Sequence, residues 1–384
     1  MPQVSAVCHP SADAITLDAL AKFSAAFLNL IHWRRSMDAL SEVLGAVRLS
    51  GAVFLEMELH AEWSYLTAPA RSIADVLMPD ADHVIPYHLV TEGTCYARLV
   101  DGDPVELGAG DLILFPAGDR HVLAAASEAG LRLKPFDITG ESLNGLLKRG
   151  AVAKLNEGDT GKTTRIVCGF LACDQRLAEP ILQSLPRLFK VSARDDGTAA
   201  WIRSAISYSV AQSISSRPGS AVVLARLSEV LFAEAIRHYM DQLPAGKSGW
   251  LAALRDRFVG RTLSLLHEQP AYSWTVDQLA QKVGLSRSAL NQRFTAMLGA
   301  PPMQYLTRWR TSLAAVQLRD NDLPILRVAT DVGYQSEAAF NRAFKREFGL
   351  PPAAWRKRAT DKARGQTLIR ERFRPSRPFP SEGP

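Results

Sequence analysis

Two groups of polar side chains, about fifty residues apart, could hydrogen-bond to the edges of nucleic-acid bases. The first is Arg287, Ser288, Asn291 and Gln292, and the second is Glu337, Asn341, Arg342 and Lys345. Asn and Gln can pair bidentately with adenine and Arg with guanine, so these residue types suit reading of the major groove. A third group lies earlier in the chain. His88, Glu92 and His121, with Cys95 nearby, offer nitrogen, carboxylate and thiol groups that could hold a divalent metal or line a ligand pocket.

The first two groups sit on a pattern that occurs twice. Val276, Leu279, Ala280 and Val283 recur at helical spacing, and Gly284 ends that helix. Ser286 then stands where it would N-cap a second helix, which turns Leu290, Phe294 and Met297 inward. The second copy has Ile325, Val328, Ala329 and Val332, then Gly333, then Phe340, Phe344 and Phe348. Equivalent positions differ by 49 up to the glycine and by 50 beyond the turn, so the second turn is one residue longer. Two copies of a helix-turn-helix pattern, at about 276–297 and 325–348, predict one DNA-binding unit with two reading helices.

Charge agrees with this. From Ala253 onward there are 22 Lys and Arg against 11 Asp and Glu, a local balance of +11 in a chain of net charge +6, so the preceding residues sum to −5. A basic module fused to a mildly acidic one predicts a polyanion-binding part and a separate part with another task. The chain has 384 residues and is 47% hydrophobic and 22% charged, enough for two globular domains. It lacks an uninterrupted apolar run of about 18 residues, so no membrane partner is expected. The first 36 residues carry no signal-peptide pattern, which points to the cytoplasm. They read as a disordered or spurious extension, with Met37 an alternative start to Met1.

Residues 254–358, with the closing run Gly349-Leu350-Pro351-Pro352-Ala353-Ala354-Trp355-Arg356, resemble the DNA-binding domain of the AraC/XylS family of bacterial transcription regulators. The resemblance implies about seven helices, with a long linking helix from Pro302 to about Arg319. It also implies two recognition helices set in successive major-groove segments. Carried over by position, the base-contacting residues would be Ser288, Asn291 and Gln292 in the first helix, and Glu337, Asn341 and Arg342 in the second. Arg287, Arg293, Arg310, Lys345 and Arg346 would contact phosphate, which orients the protein without specifying sequence. Promoter DNA, RNA polymerase and a small-molecule effector are the implied partners, and activation is the commoner outcome in the family.

The first part of the chain reads as β-rich to about residue 137, with short apolar runs between turns such as Asp101-Gly102-Asp103-Pro104. Gly110 to His121 fits the second cupin motif, with Pro116-Ala117-Gly118 and His121 in place and Ala125 where Asn is common. His88 and Glu92 keep the spacing of the first motif, while Pro86 replaces its first histidine. This segment resembles the cupin-type sensor domain that precedes AraC-type DNA-binding domains. A barrel of this kind could hold a metal on His88, Glu92 and His121, or could have lost it and kept the residues as a pocket. The alternative function is a metal-dependent cupin enzyme tethered to DNA, which would leave the duplicated motif without a purpose.

Cys8, Cys95, Cys168 and Cys173 are expected to be reduced, with a redox-sensing pair at Cys168 and Cys173 as the alternative. Between the two parts, three helical faces are expected. They are Leu182, Leu185, Leu188 and Phe189; then Trp201, Ile202, Ala205 and Ile206; then Val223, Leu224, Leu227, Val230, Leu231, Ala235 and Ile236. The third suits a homodimer contact or packing on its own barrel. The predicted class is α+β multidomain: a cupin-like β-barrel with a helical hairpin, then an all-α domain with two helix-turn-helix motifs. The expected boundaries are 1–36 extension, 37–190 sensor, 191–240 helical segment, 241–250 linker, 251–358 DNA-binding domain and 359–384 disordered basic tail. The whole reads as a DNA-binding activator controlled by a small molecule or chemical signal, not an enzyme.

Overall fold

The computed structural model describes residues 39–47, 49–60, 62–77, 81–138, 153–158, 160–192, 220–244 and 246–360, together with Ser204 and Tyr208. Expectations for residues 1–36, Cys8, the face on Trp201, Ile202, Ala205 and Ile206, and the tail beyond Thr360 fall outside these residues.

The first part is built from α1 (Ala39–Val47), β1 (Ser50–Leu59), β2 (Ser64–Leu66), α2 (Ala70–Leu77), β3 (His83–Glu92), β4 (Thr94–Leu99), β5 (Val105–Gly108), β6 (Asp111–Leu114) and β7 (His121–Ala125). There follow α3 (Glu128–Arg132), β8 (Phe136–Asp137), β9 (Ala153–Glu157), β10 (Thr164–Cys173), α4 (Gln175–Leu182), β11 (Phe189–Ser192) and α5 (Ser220–Asp241). The strands form a six-stranded sheet, ordered β11-β6-β3-β10-β1-β9, and a five-stranded sheet, ordered β5-β4-β7-β2-β8. This corrects the expected barrel: among the described residues, the two sheets face each other without a ladder that closes them into one. Gly93 forms one corner between the sheets. Its φ is +76°, and the chain passes there from β3 in one sheet to β4 in the other. A Cβ at Gly93 would lie 2.3 Å from the Thr163 carbonyl oxygen, so the corner needs glycine.

Between the sheets lies a core containing Met57, Val90, Cys95, Ile113, Phe115, Leu123, Ile166 and Cys168. The outer face of the six-stranded sheet is buried as well, through Ile85, Tyr87, Leu89, Val167 and Leu171. Alternate residues of β3 and β10 therefore enter two different cores, which is why these strands read as nearly continuous apolar runs. Helix α5 lies on the outer face. Leu224, Leu231, Ala235 and Ile236 are buried against it, and Tyr87 donates to Ser228 Oγ at 2.6 Å. Val222, Val223 and Val230 of α5 are exposed, so the third predicted face is split between its own sheet and the outside.

The second part is all-α: α6 (Trp250–Arg255), α7 (Val259–Glu268), α8 (Val276–Val283), α9 (Arg287–Leu298), α10 (Pro302–Asp320), α11 (Ile325–Asp331), α12 (Glu337–Phe348) and α13 (352–360). The short turn of α6 brings the number to one above the implied seven. The connection from α5 to α6, expected to be a loose linker, is fastened. Arg255 Nη1 donates to the carbonyls of Met240 at 2.7 Å and Leu243 at 2.9 Å, and the Trp250 amide donates to Ser184 Oγ at 2.9 Å.

Two apolar cores divide this part. The outer-sheet core continues through Leu251, Leu263, Leu279, Leu290, Phe294, Leu306 and Trp309, so the first part and the α8–α9 pair share one core. The α11–α12 pair has its own, made of Ala314, Ala315, Leu318, Val328, Ala329, Val332, Phe340 and Phe344. Phe344→Ala should therefore cost about 3–5 kcal/mol, and hydrogen exchange should show α11 and α12 losing protection while α8 and α9 keep theirs. Equal loss in both pairs would mean that the cores are not separate.

Candidate DNA-reading faces and sensor cavity

Helix α8 opens with a reciprocal cap, the Thr275 hydroxyl accepting from the Gln278 amide and the Gln278 side chain accepting from the Thr275 amide. It ends at Gly284 with φ +75°. Ser286 and Ser336 cap α9 and α12 alike, accepting from Ala289 N and Ala339 N. On α9, Leu290 and Phe294 are buried while Ser288 and Gln292 are exposed; on α12, Phe340 and Phe344 are buried while Glu337 and Arg342 are exposed. Asn291 and Asn341 hold the equivalent, half-buried position. Asn291 Oδ1 is buried without a partner, so a bidentate base contact would require its amide to rotate.

The five expected phosphate-contacting residues separate into two kinds. Lys345 and Arg346 are exposed, and Arg287 pairs only with Asp277 at 3.4 Å, both being about two-thirds exposed. Such a pair contributes little and gives way readily to phosphate. Arg293 and Arg310 depart from the expectation. The Arg293 guanidinium is held bidentately by Asp256, whose carboxylate also accepts from the Phe258 and Val259 amides at the start of α7. Arg310 is half-buried, donating from Nε to the Pro270 carbonyl at 2.6 Å and from Nη2 to the Tyr272 carbonyl at 2.8 Å. Both side chains act as structural clamps, each bonding through Nε and Nη2 to a segment outside its own helix.

A cavity of about 30 Å³ lies between the sheets of the first part. Its walls are mainly apolar, including Leu55, Met57, Pro86, Leu123, Ile138 and Phe170, with His88, His121, Thr67, Tyr65 and Cys168 as polar members. Three of them, Cys168, His88 and His121, form a chain whose proton positions follow from their partners. His121 Nδ1 must donate to the Asp119 carbonyl at 2.8 Å, so its Nε2 accepts from His88 Nε2 at 2.6 Å. His88 Nδ1 is then an acceptor, and the Cys168 thiol donates to it at 3.1 Å. Burial lowers His88 well below the usual histidine value and brings His121 down to about 4, while it pushes the Cys168 thiol up. The whole chain is thus neutral near pH 7. Tyr65 Oη is buried without a hydrogen-bond partner, a polar group left for something else to meet.

Two expected pocket residues lie elsewhere. Glu92 follows a bulge in the β3–β10 ladder, where the register shifts between Arg165 and Ile166. The extra residue takes Glu92 off the face that carries His88, and it pairs with Arg165 Nη1 at 2.6 Å on the surface. Cys95 is in the core between the sheets but does not line the cavity, and burial pushes its thiol up to about 12. The remaining donors do not converge on one point: the Nε2 atoms of His88 and His121 face each other at 2.6 Å, and Cys168 lies on the opposite ring nitrogen of His88, so they do not fit a divalent metal. Among the described residues there is no group of three or more His, Cys, Asp or Glu side chains that could hold one. The expected cysteine pair also fails. Cys168 and Cys173 are an odd number of residues apart on β10, so they face opposite sides of the sheet, one in each core.

Tyr65 and Thr67 escaped the sequence reading because β2 is only three residues long and carries no motif. Cys168 was visible as a cysteine, but nothing in its spacing joined it to His88.

Comparison with known proteins supports both parts. Residues 38–241 match the family model described as Cupin, and residues 279–358 match that described as Helix-turn-helix domain. A putative AraC-like transcription regulator of Streptomyces lividans is 34% identical over 73% of this chain and 89% of its own length. One from Streptomyces antibioticus is 32% identical over 84% of this chain and 99% of its own. The RCS-specific HTH-type transcriptional activator RclR of Escherichia coli K12 is 28% identical over 84% of this chain and 98% of its own.

The neutral histidines give the fold a pH dependence of defined sign. An unfolded histidine protonates below pH 6.5, whereas His121 in the fold resists down to about 4. Stability is therefore complete above pH 6.5 and falls as pH drops toward 4, by up to ~1.4 kcal/mol per pH unit for this residue. His121→Phe should make the fall shallower when urea midpoints at pH 7 and pH 5 are compared. An unchanged slope would show that His121 titrates normally.

Proposed function

The chain belongs to the AraC-type family of DNA-binding transcription regulators with an N-terminal cupin domain, and we propose that it is an activator gated by a small molecule or chemical signal at the cavity beside His88, His121 and Cys168. Its relatives are named regulators, which sets it apart from the cupin enzymes. Both helix pairs enter the major groove of promoter DNA. Ser288, Asn291 and Gln292 read one element, and Glu337, Asn341 and Arg342 read the other. Arg287, Lys345 and Arg346 meet phosphate. RNA polymerase is the partner at the promoter, and a relative is itself named a transcriptional activator.

The observation that carries the gating is the continuity of β10 with α4. Cys168 of β10 lines the cavity, and six residues further on Asp174 N-caps α4. Asp174 also pairs with Arg319 Nη1, near the end of α10, at 3.0 Å. Arg176 donates to the Glu347 carbonyl of α12 at 2.9 Å and lies 4.9 Å above the Phe348 ring. One strand thus runs from the cavity wall to the base of the second reading helix. At about 30 Å³ the cavity holds little more than a water or two. Any larger occupant must displace the wall, and a moved β10 changes the grip of α4 on α10 and α12. A coupling of about 1–3 kcal/mol is enough to alter promoter occupancy. The exposed Val222, Val223 and Val230 of α5 offer a surface for a homodimer.

Genomic fragments selected on the purified full-length protein should yield a site with two short elements about one helical turn apart. Binding without sequence preference would reject base reading. On the selected site, Arg342→Ala should cost roughly 1–3 kcal/mol and relax one base position, whereas Arg346→Ala should weaken all sequences alike and lower the salt dependence. Cys168→Phe, which drives a ring into the cavity, should shift reporter transcription from the selected promoter. Wild-type output and inducibility in a folded variant would remove the cavity from the control.

A further inference from the structure

The two helix pairs belong to separate cores, and α10 is common to both. Leu306 and Trp309 lie in the first core, and Ala314, Ala315 and Leu318 in the second. One helix fixes a distance along its axis, but an angle across it needs lateral contact. That contact is made at the loop from Pro270 to Trp274, between α7 and α8. Arg310 of α10 donates to two carbonyls of this loop, and its guanidinium lies 5.9 Å above the ring of Tyr334 in the second turn. The second turn also touches the loop directly. Gly333 has φ +93°, and a Cβ there would lie 2.6 Å from Ala271 Cα and 2.7 Å from its carbonyl oxygen.

The first copy of the motif shows that this is more than turn chemistry. Gly284, the equivalent glycine, has φ +75°, and a Cβ there would meet nothing within 4 Å. Glycine at 284 serves the left-handed backbone alone, while glycine at 333 also admits the other half of the domain. Likewise Leu285 stands where the second copy has Tyr334. The repeat is symmetric in its helices and asymmetric where the halves touch.

We propose that Arg310 and Gly333 set the angle between the two reading helices, and thereby the spacing of the two DNA elements that the protein accepts. This rests on the reading that both pairs enter DNA. The planar guanidinium reaches both carbonyls at once, which a lysine ammonium at a single point does not. The backbone of Ala271 cannot yield to a methyl group without moving the second pair.

The test uses the full-length protein and duplexes carrying the two selected elements with spacers changed by single base pairs. Wild type should discriminate sharply among spacers. Arg310→Ala should flatten that discrimination by at least about tenfold, the loss expected for either one of its two charge-assisted hydrogen bonds. Arg310→Lys should fail to restore it, and Gly333→Ala should shift or broaden the preferred spacing. Binding to a duplex with the first element alone should remain, which shows that the variants fold. If Arg310→Ala weakens every spacer by the same factor, Arg310 is a general phosphate or stability residue and the proposal is wrong. If wild type itself ignores spacing, the two-helix reading fails, and the proposal with it.

Discussion

Burial of both faces of the β3–β10 pair is the constraint from which the rest of the architecture follows. One face closes the cavity between the sheets, and the other supports α5 and the core that runs on into α6–α10. A strand buried on both sides cannot shift at one face without disturbing the packing at the other, because interiors are close-packed. β10 ends at Cys173, and the next residue, Asp174, caps α4 and pairs with Arg319. The cupin domain and the DNA-binding unit are consequently joined by shared apolar packing as well as by a peptide connection.

Polar groups inside this frame are handled by neutrality. The Cys168–His88–His121–Asp119 chain is hydrogen-bonded throughout and carries no charge, which avoids the cost of a buried ion. The DNA-binding part is likewise neutral around Tyr305, which accepts from Trp250 Nε1 at 2.8 Å and donates to His267 Nε2 at 2.7 Å, leaving His267 Nδ1 buried without a partner. Burial brings His267 down to about 3. Arginines divide accordingly. Those already bonded to partners outside their helices, such as Arg293 and Arg310, hold the fold together. Arg342 and Arg346 keep their guanidiniums on the surface, where a polyanion can reach them.

Periodic features were the legible ones. Leu279, Ala280, Leu290 and Phe294, and their counterparts Val328, Ala329, Phe340 and Phe344, repeat at helical spacing, and the structure buries all eight. The capping residue Ser286 acts locally, so its role was also readable. Barrel closure was not, because it depends on ladders between strands far apart in sequence and on corners such as Gly93. The bulge at Thr91 was equally hidden, since one extra residue in a strand leaves no compositional trace yet removes Glu92 from the cavity.

By itself the sequence determined the two-part organisation, the duplicated helix pair, its outward polar faces and the cupin-like character of the first part. These follow from local period, caps and charge, which act within a few turns of chain. Tertiary structure alone decided which charges are free. Arg293 and Arg310 look like Arg342 in sequence, but Asp256 and the Pro270 and Tyr272 carbonyls come from outside their helices. It also decided that Cys168 meets His88 while Cys173 does not. Partners of this kind are brought together by long-range packing, which no local pattern encodes.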